Sequence, residues 1–160
     1  ETGGGLWHAR ALFRRDVPIL LHNVDVITDA DLGAMVAAHA HSEALVTLAV
    51  NARETTRVLR FDDRGLCGRE DRRQGVQRTD CRPPQGEERT WAFAGVHVCS
   101  PRLLDHITER GAFSIIDVYL RLAAEGHLIA PWPLAGVWLE VGSLERLEAA
   151  RATLGPAASS

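Results

Sequence analysis

Apolar positions along this chain fall into short runs separated by polar turns, in two distinct periods. Val17 to Asn23 is a continuous apolar run that closes on polar residues, the pattern of a strand buried on both faces. Ala44–Val50, Arg57–Phe61, Trp91–Cys99, His127–Trp132 and Val137–Val141 read as further strands, and Asp62-Asp63-Arg64-Gly65 reads as a turn. Between them the spacing becomes helical. Leu6–Phe13 predicts a short helix after a glycine turn. Leu32, Met35 and Val36 form an apolar stripe behind the helix start Thr28-Asp29-Ala30-Asp31, and that helix should end near His41. Ser100-Pro101 opens a helix to about Glu109, Ser114 and Asp117 form a capping box for one that ends at Gly126, and Ser143 caps a last helix to about Leu154. Gly68–Arg89 is strongly polar with a Pro-Pro pair and reads as a flexible excursion. Residues 155–160 read as a disordered tail. Strands alternating with helices predict an α/β domain with a largely parallel sheet.

Composition narrows the class. The chain has 160 residues, 46% of them apolar and 24% charged, enough for one domain with a real core. Net charge is −3 with both signs interspersed, which argues against a nucleic-acid or membrane partner. No apolar run approaches a membrane span and no secretory signal opens the chain, so a cytoplasmic protein is expected. Cys67, Cys81 and Cys99 match neither a zinc pattern nor a disulfide framework, and are expected as reduced structural thiols. All 18 basic residues are Arg. The chain starts at Glu1 without a Met, on a glycine-rich turn typical of a domain interior, so a fragment is expected.

Two segments carry the candidate chemistry: His22-Asn23-Val24-Asp25-Val26 and Gly136-Val137-Trp138-Leu139-Glu140-Val141-Gly142-Ser143. Each reads as a strand ending in a carboxylate just before a helix start. Ligands of open α/β sheets sit beyond the carboxyl ends of strands, which suits Asp25 to metal or phosphate work; a turn aspartate capping its own loop is the structural alternative. Glu140 stands among apolar neighbours, where a buried carboxylate needs a partner such as a metal; an edge-strand glutamate facing water is the alternative. Gly3-Gly4-Gly5 could admit a close backbone approach to a base or phosphate. Asp29, Asp31 and Asp117 are explained by capping. His39 and His41, two apart on a helix, point to different faces and do not suit joint metal binding.

Taken together these segments resemble sugar-1-phosphate nucleotidyltransferases. Glu1-Thr2-Gly3-Gly4-Gly5-Leu6 is similar to that family's Glu-Thr-Ala-Gly-Gly-Ile turn, and Asn23-Val24-Asp25 to its Asn-Gly-Asp strand end. Phe93-Ala94-Gly95-Val96-His97-Val98 with Ser100-Pro101 resembles the strand after the sugar-binding loop. Phe113-Ser114-Ile115-Ile116-Asp117 and Gly136–Ser143 resemble the closing motifs, usually Trp-x-Asp-Val-Gly-Thr. Order and spacing agree over nearly the whole chain, with most similarity to the bacterial branch acting on mannose 1-phosphate or N-acetylmuramate 1-phosphate. The resemblance implies a Rossmann-like nucleotide-diphospho-sugar transferase fold. It also implies a reaction of a nucleoside triphosphate with a sugar 1-phosphate, giving a nucleotide-sugar and pyrophosphate. It makes Asp25 and Glu140 the ligands of Mg²⁺, sets Gly3 and Gly4 against the nucleotide and Gly95 near the sugar, and makes Asn23 and Trp138 supports of the site.

The departures are specific. The family's glycine-rich loop, Gly-x-Gly-x-Arg running on to Pro-Lys, cradles the triphosphate and supplies the catalytic cation; no such segment is in this sequence. Catalytic residues are therefore expected in that loop, residues 1–154 read as the C-terminal part of a nucleotidyltransferase domain, and the chain alone is expected to be inactive. Glu140 in place of Asp moves its carboxylate by roughly 1.5 Å, which matters to an octahedral Mg²⁺ site. The alternative is a catalytically degenerate module that binds nucleotide or sugar phosphate without turnover.

Overall fold

The computed structural model describes residues 1–154; the tail expected over 155–160 lies outside the described residues. In chain order the elements are α1 (Thr2–Ala9), β1 (Ile19–His22), β2 (Val26–Thr28), α2 (Leu32–Ala40), β3 (Val46–Asn51), β4 (Arg57–Asp62), β5 (Gly65–Asp71), β6 (Gln77–Asp80), β7 (Arg89–Cys99), α3 (Leu103–His106), α4 (Ile115–Ala124), β8 (Ile129–Pro133), β9 (Trp138–Glu140) and α5 (Leu144–Leu154). No helix among the described residues is long and apolar enough to cross a membrane.

The main sheet has seven strands in the order β6-β5-β4-β7-β3-β8, with β1 also paired to β7. Strand β7 is its spine. One edge of β7 takes β3 along much of its length, and the other takes β4 near Trp91 and β1 over Val96–Cys99. Period-two alternation sorts the side chains into two layers. Val46, Leu48 and Val50 face a core closed by α1 and α4, while Ala49, Ala94, Val96 and Val98 face a second core with Met35 of α2. In α4 the buried residues Ile115, Val118, Tyr119 and Leu122 follow helical spacing, so one stripe faces the sheet. Helices on both faces give the α/β, Rossmann-like layering.

The sheet is not largely parallel. Only β3–β8 pairs in parallel among the described strands, and every other ladder is antiparallel. Residues 46–99 run through five strands with no helix between them, and a parallel neighbour needs a crossover of a dozen or more residues. The tight turn at Asp63-Arg64, released by Gly65 at φ +94°, forces β4 and β5 into a hairpin instead.

The polar stretch 68–89 is not a free loop. Strand β5 continues to Asp71 and β6 returns over Gln77–Asp80, and the charges that suggested a loop are its fastenings. Arg60, 3% exposed, donates to Asp80 and Glu88. Glu70, also buried, faces Arg72 at 3.0 Å and Arg78 at 3.1 Å. Asp62 accepts from Arg82 at 2.7 Å and from the Gln85 backbone N–H at 2.6 Å.

Helix ends differ where tertiary partners intervene. Helix α1 starts at Thr2, so the glycines form its first turn. A Cβ on Gly3 would stand 2.7 Å from the Phe113 carbonyl oxygen, and one on Gly4 2.5 Å from that of Gly111. The helix after Pro101 stops at His106 because Leu103, Leu104 and Ile107 turn into the core and Arg110 takes the carbonyls of Thr108 and Glu109. Ser114 precedes α4 without a side-chain cap bond, and Asp117 pairs with Arg69 instead of closing a capping box. The cap of α2 is Asp31, which accepts from Ala34 N–H at 2.8 Å, while Thr28 donates to the Val137 carbonyl at 2.7 Å. Cys67 and Cys99 are buried free thiols, and burial pushes the Cys99 thiol up to about 12.

Candidate functional site

A small antiparallel ribbon, β2 against β9, carries both candidate carboxylates. Val26 lies opposite Glu140, Ile27 opposite Leu139 and Thr28 opposite Trp138. The ladder is extended by the Val141 N–H, which donates to the Asp25 carbonyl at 2.7 Å. Residues 25 and 140 therefore leave the ribbon side by side. Gly142 shows how close they are: a Cβ there would lie 3.2 Å from Asp25 Oδ2 and 3.7 Å from Glu140 Oε1. Both carboxylates look onto one point over a residue that has no side chain.

Three consecutive carbonyls of β7 hold the ribbon, the turn that leads into it and the chain leaving β3. The Asn23 N–H donates to Gly95 O at 2.9 Å, Trp138 Nε1 to Ala94 O at 2.8 Å, and an Arg53 amino group to Phe93 O at 2.9 Å. These carbonyls lie where the ladders on β7 are interrupted: the β4 pairing ends at Trp91, the β1 pairing begins at Val96, and the register with β3 shifts between Phe93 and His97. Gly95 has φ +79°, and a Cβ on it would stand 2.9 Å from Val26 Cγ2 and 3.2 Å from the Asn23 amide. Its lack of a side chain lets the Asp25 turn close onto β7.

Arg53 is the residue the sequence reading missed. The same amino group also donates to Asn51 Oδ1 at 3.1 Å, and the guanidinium lies 4.2 Å over the Trp138 ring. Burial lowers its pKa from the usual guanidinium value, with the Glu140 charge acting in the opposite sense. A signal was available: Arg53 lies two residues beyond β3, just past a strand end as Asp25 does. Beside Arg53 a cavity of about 620 Å³ opens, with Val58, Leu59, Phe93 and Ile116 as apolar lining and the hydroxyls of Thr55 and Ser114 at its wall.

Glu140 is not buried among apolar residues. Its side chain is 35% exposed and forms an ion pair with Arg146 of α5, a second residue the sequence reading did not single out. Gly3 and Gly4 pack on residues 111–113, while Glu1 lines the same cavity as Arg53. Asp29 accepts the Val137 N–H at 2.5 Å, a loop-holding role. His39 is buried against Thr47 Oγ1 at 2.8 Å, whereas His41 bonds the Ala37 carbonyl at the surface.

Among the described residues no group of three or more His, Cys, Asp or Glu side chains could hold a metal ion. Two carboxylates on one point still fit Mg²⁺, which characteristically takes one or two protein carboxylates and completes its octahedron with water and substrate phosphate. Asp25 and Glu140 would hold it.

No protein-family model matches the chain. The N-acetylmuramate alpha-1-phosphate uridylyltransferase of Caulobacter vibrioides is 32% identical over 159 residues, which are 98% of this chain and 62% of that protein. A Bacillus anthracis structure assigned as a glucose-1-phosphate thymidylyltransferase, in complex with sucrose, superposes with a TM-score of 0.71 at 14% identity. That match covers 92% of this chain and 58% of the other. A UDP-glucose pyrophosphorylase complexed with UDP-glucose superposes with a TM-score of 0.65 at 17% identity, over 95% of this chain and 61% of that one. The chain thus spans about three-fifths of the relatives it matches. In sequence the chain is similar to a sugar-1-phosphate nucleotidyltransferase, and it shares the fold of a glucose-1-phosphate thymidylyltransferase structure and a UDP-glucose pyrophosphorylase structure.

Proposed function

We propose that residues 1–154 are the C-terminal part of a nucleotidyltransferase domain that joins a nucleoside triphosphate to a sugar 1-phosphate, releasing pyrophosphate. The observation that supports this best is the approach of Asp25 and Glu140 to one point over Gly142. In the reaction an oxygen of the sugar phosphate bonds to the α-phosphorus as the bond to the β-phosphate breaks, and the electron pair leaves with pyrophosphate. Little covalent chemistry falls to the protein, so positioning and charge neutralisation carry the rate. Mg²⁺, when bound, supplies charge neutralisation between the phosphates.

The chain's own residues do the rest. Asp25 is held by its backbone bond to Val141, and its turn is locked by Asn23 on Gly95. Trp138 fixes β9, and with it Glu140, through its bond to Ala94. The cavity beside Arg53 would seat the sugar, with Gly95 close to it. The helix opening at Gly3 and Gly4, whose neighbour Glu1 borders that cavity, would lie toward the nucleotide. A cytoplasmic location belongs to this reading.

Calorimetry with Mg²⁺ on the wild-type chain and on Asp25→Asn tests it. Saturable binding by the wild type, weakened tenfold or more in the variant, is the expected result. Equal binding by both would remove Asp25 from the metal site.

One observation favours a second reading, the catalytically degenerate module: Arg146 already neutralises Glu140. In that case Asp25→Ala leaves the binding of sugar phosphates unchanged, and chelating the metal has no effect on it.

A further inference from the structure

We propose that Arg53 is the residue that receives the phosphate of the sugar 1-phosphate, the fixed cation of a chain that has no lysine. The proposal rests on the nucleotidyltransferase reading.

Position is the first argument. Strands β1 and β3 both run antiparallel to β7, and Ile19 and Val46 both stand opposite Cys99. The two strands are therefore parallel and in register, so Asp25 and Arg53 leave the sheet at the same end. Arg53 stacks on Trp138, two residues before Glu140, which brings it to the carboxylate ribbon.

The second argument is fixation with spare donors. One amino group of Arg53 serves the Phe93 carbonyl and Asn51 Oδ1, and Trp138 holds the flat of the guanidinium. The bonds found among the described residues use only that amino group. Nε and the second amino group are left to offer the planar fork that suits a phosphate oxygen pair.

The third argument is charge. Other arginines of the same cavity have carboxylate partners: Arg69 pairs with Asp117, and Arg57 and Arg73 with Asp71. Among the described residues Arg53 has no carboxylate within ion-pair distance, although it is half-buried. A half-buried cation with no carboxylate in contact is incompletely compensated, and a bound anion supplies the missing contact. The cavity beside it is of a size for a hexose-sized ligand, with a few apolar residues and the hydroxyls of Thr55, Thr79 and Ser114 in a largely polar wall, as a sugar ring requires.

The test is calorimetry with inorganic phosphate and with glucose 1-phosphate on the wild type, Arg53→Gln, Arg53→Lys and Arg14→Gln, alongside Mg²⁺ alone. Arg53→Gln is expected to weaken both anions at least tenfold while Mg²⁺ affinity stays within twofold. Arg53→Lys restores part of the loss, which a purely structural role would not show. Arg14→Gln, altering an arginine paired with Asp16 outside the cavity, changes phosphate binding less than twofold. If Arg53→Gln fails to fold, the Arg53→Lys and wild-type comparison carries the test: equal phosphate affinity overturns the proposal. Undiminished phosphate binding in Arg53→Gln, with Asp25-dependent Mg²⁺ binding intact, overturns the role of Arg53 and leaves the functional reading standing. A wild type that binds neither Mg²⁺ nor phosphate overturns both.

Discussion

Arg146, in the first turn of α5, forms an ion pair with Glu140 at the end of β9. A guanidinium competes with a divalent cation for the same carboxylate, so the pair acts against metal binding. Arg146→Gln should therefore tighten Mg²⁺ binding. The pair is solvent-exposed, with its two side chains 56% and 35% accessible, which limits the gain to about fivefold. Calorimetric Mg²⁺ titrations of the two proteins check this, and a weaker or unchanged affinity would take Glu140 out of the site.

Gly95→Ala should damage the site from beneath. A side chain at φ +79° is strained and would meet Val26 and Asn23, at a cost of about 1–3 kcal/mol. The Asp25 turn has to lift off β7, so Mg²⁺ affinity falls together with the thermal midpoint. Loss of stability with metal binding intact would show that the turn tolerates the shift.

Acid should unfold the chain in two stages. Burial pushes His97 down to about 4, below its ordinary value of about 6.5. Between those two pH values the unfolded chain takes up a proton that the folded chain refuses. The contribution is complete above about pH 6.5 and is lost as pH falls toward 4, amounting to roughly 3 kcal/mol. Buried His39, also shifted down, adds in the same sense. A second stage follows at lower pH, because Arg82 beside Asp62 holds that carboxyl at about 2; its stabilisation is present above the ordinary carboxylate range and disappears as pH falls through 2. Denaturant midpoints measured from pH 7 to 2 should show both slopes. His97→Gln should flatten the upper one by about one proton, and Asp62→Asn should remove part of the lower.

Arg60→Met should free the polar hairpin. The guanidinium is buried while Asp80 remains half-exposed, so the carboxylate left behind can hydrate, and a loss of about 1–3 kcal/mol is expected instead of the full cost of a stranded buried charge. Limited proteolysis should then cut within residues 72–89 well before the rest of the chain. Wild-type resistance in the variant would mean that the backbone ladder alone holds β6.

Strands β3, β4, β7 and β8 and helices α2 and α4 were legible because their apolar spacing agrees with their burial. Helix α5 was legible only from its Ser143 start, since Ala150 is its one buried residue, and β1, expected to be buried on both faces, leaves Leu20 exposed. The hairpin of β5 and β6 was not, because its fastening is ionic: Arg60 and Glu70 look like solvent-exposed residues until partners 20 and 8 positions away are known. The parallel sheet was misjudged for a related reason, since strand direction depends on which neighbours pair and not on the run itself. At the site, Asp25 could be singled out from its strand end alone. The Arg146 partner of Glu140 and the stacking of Arg53 on Trp138 depend on contacts six and 85 residues apart that no local pattern encodes.

The three carbonyls of β7 that carry the site are each claimed by a different, distant part of the chain, with Arg53 40 residues from Phe93 and Trp138 44 residues from Ala94. Closing such separations is entropically slow and is rewarded only once the spine is in place. The ribbon therefore docks late in folding, after β3, β7 and β1 have paired, and opens early when the sheet frays. A ligand that bridges Asp25 and Arg53 would bind only the docked state and raise the stability of the entire fold by mass action. The same ligand would slow unfolding more than it speeds folding, because contacts made late are absent from the transition state.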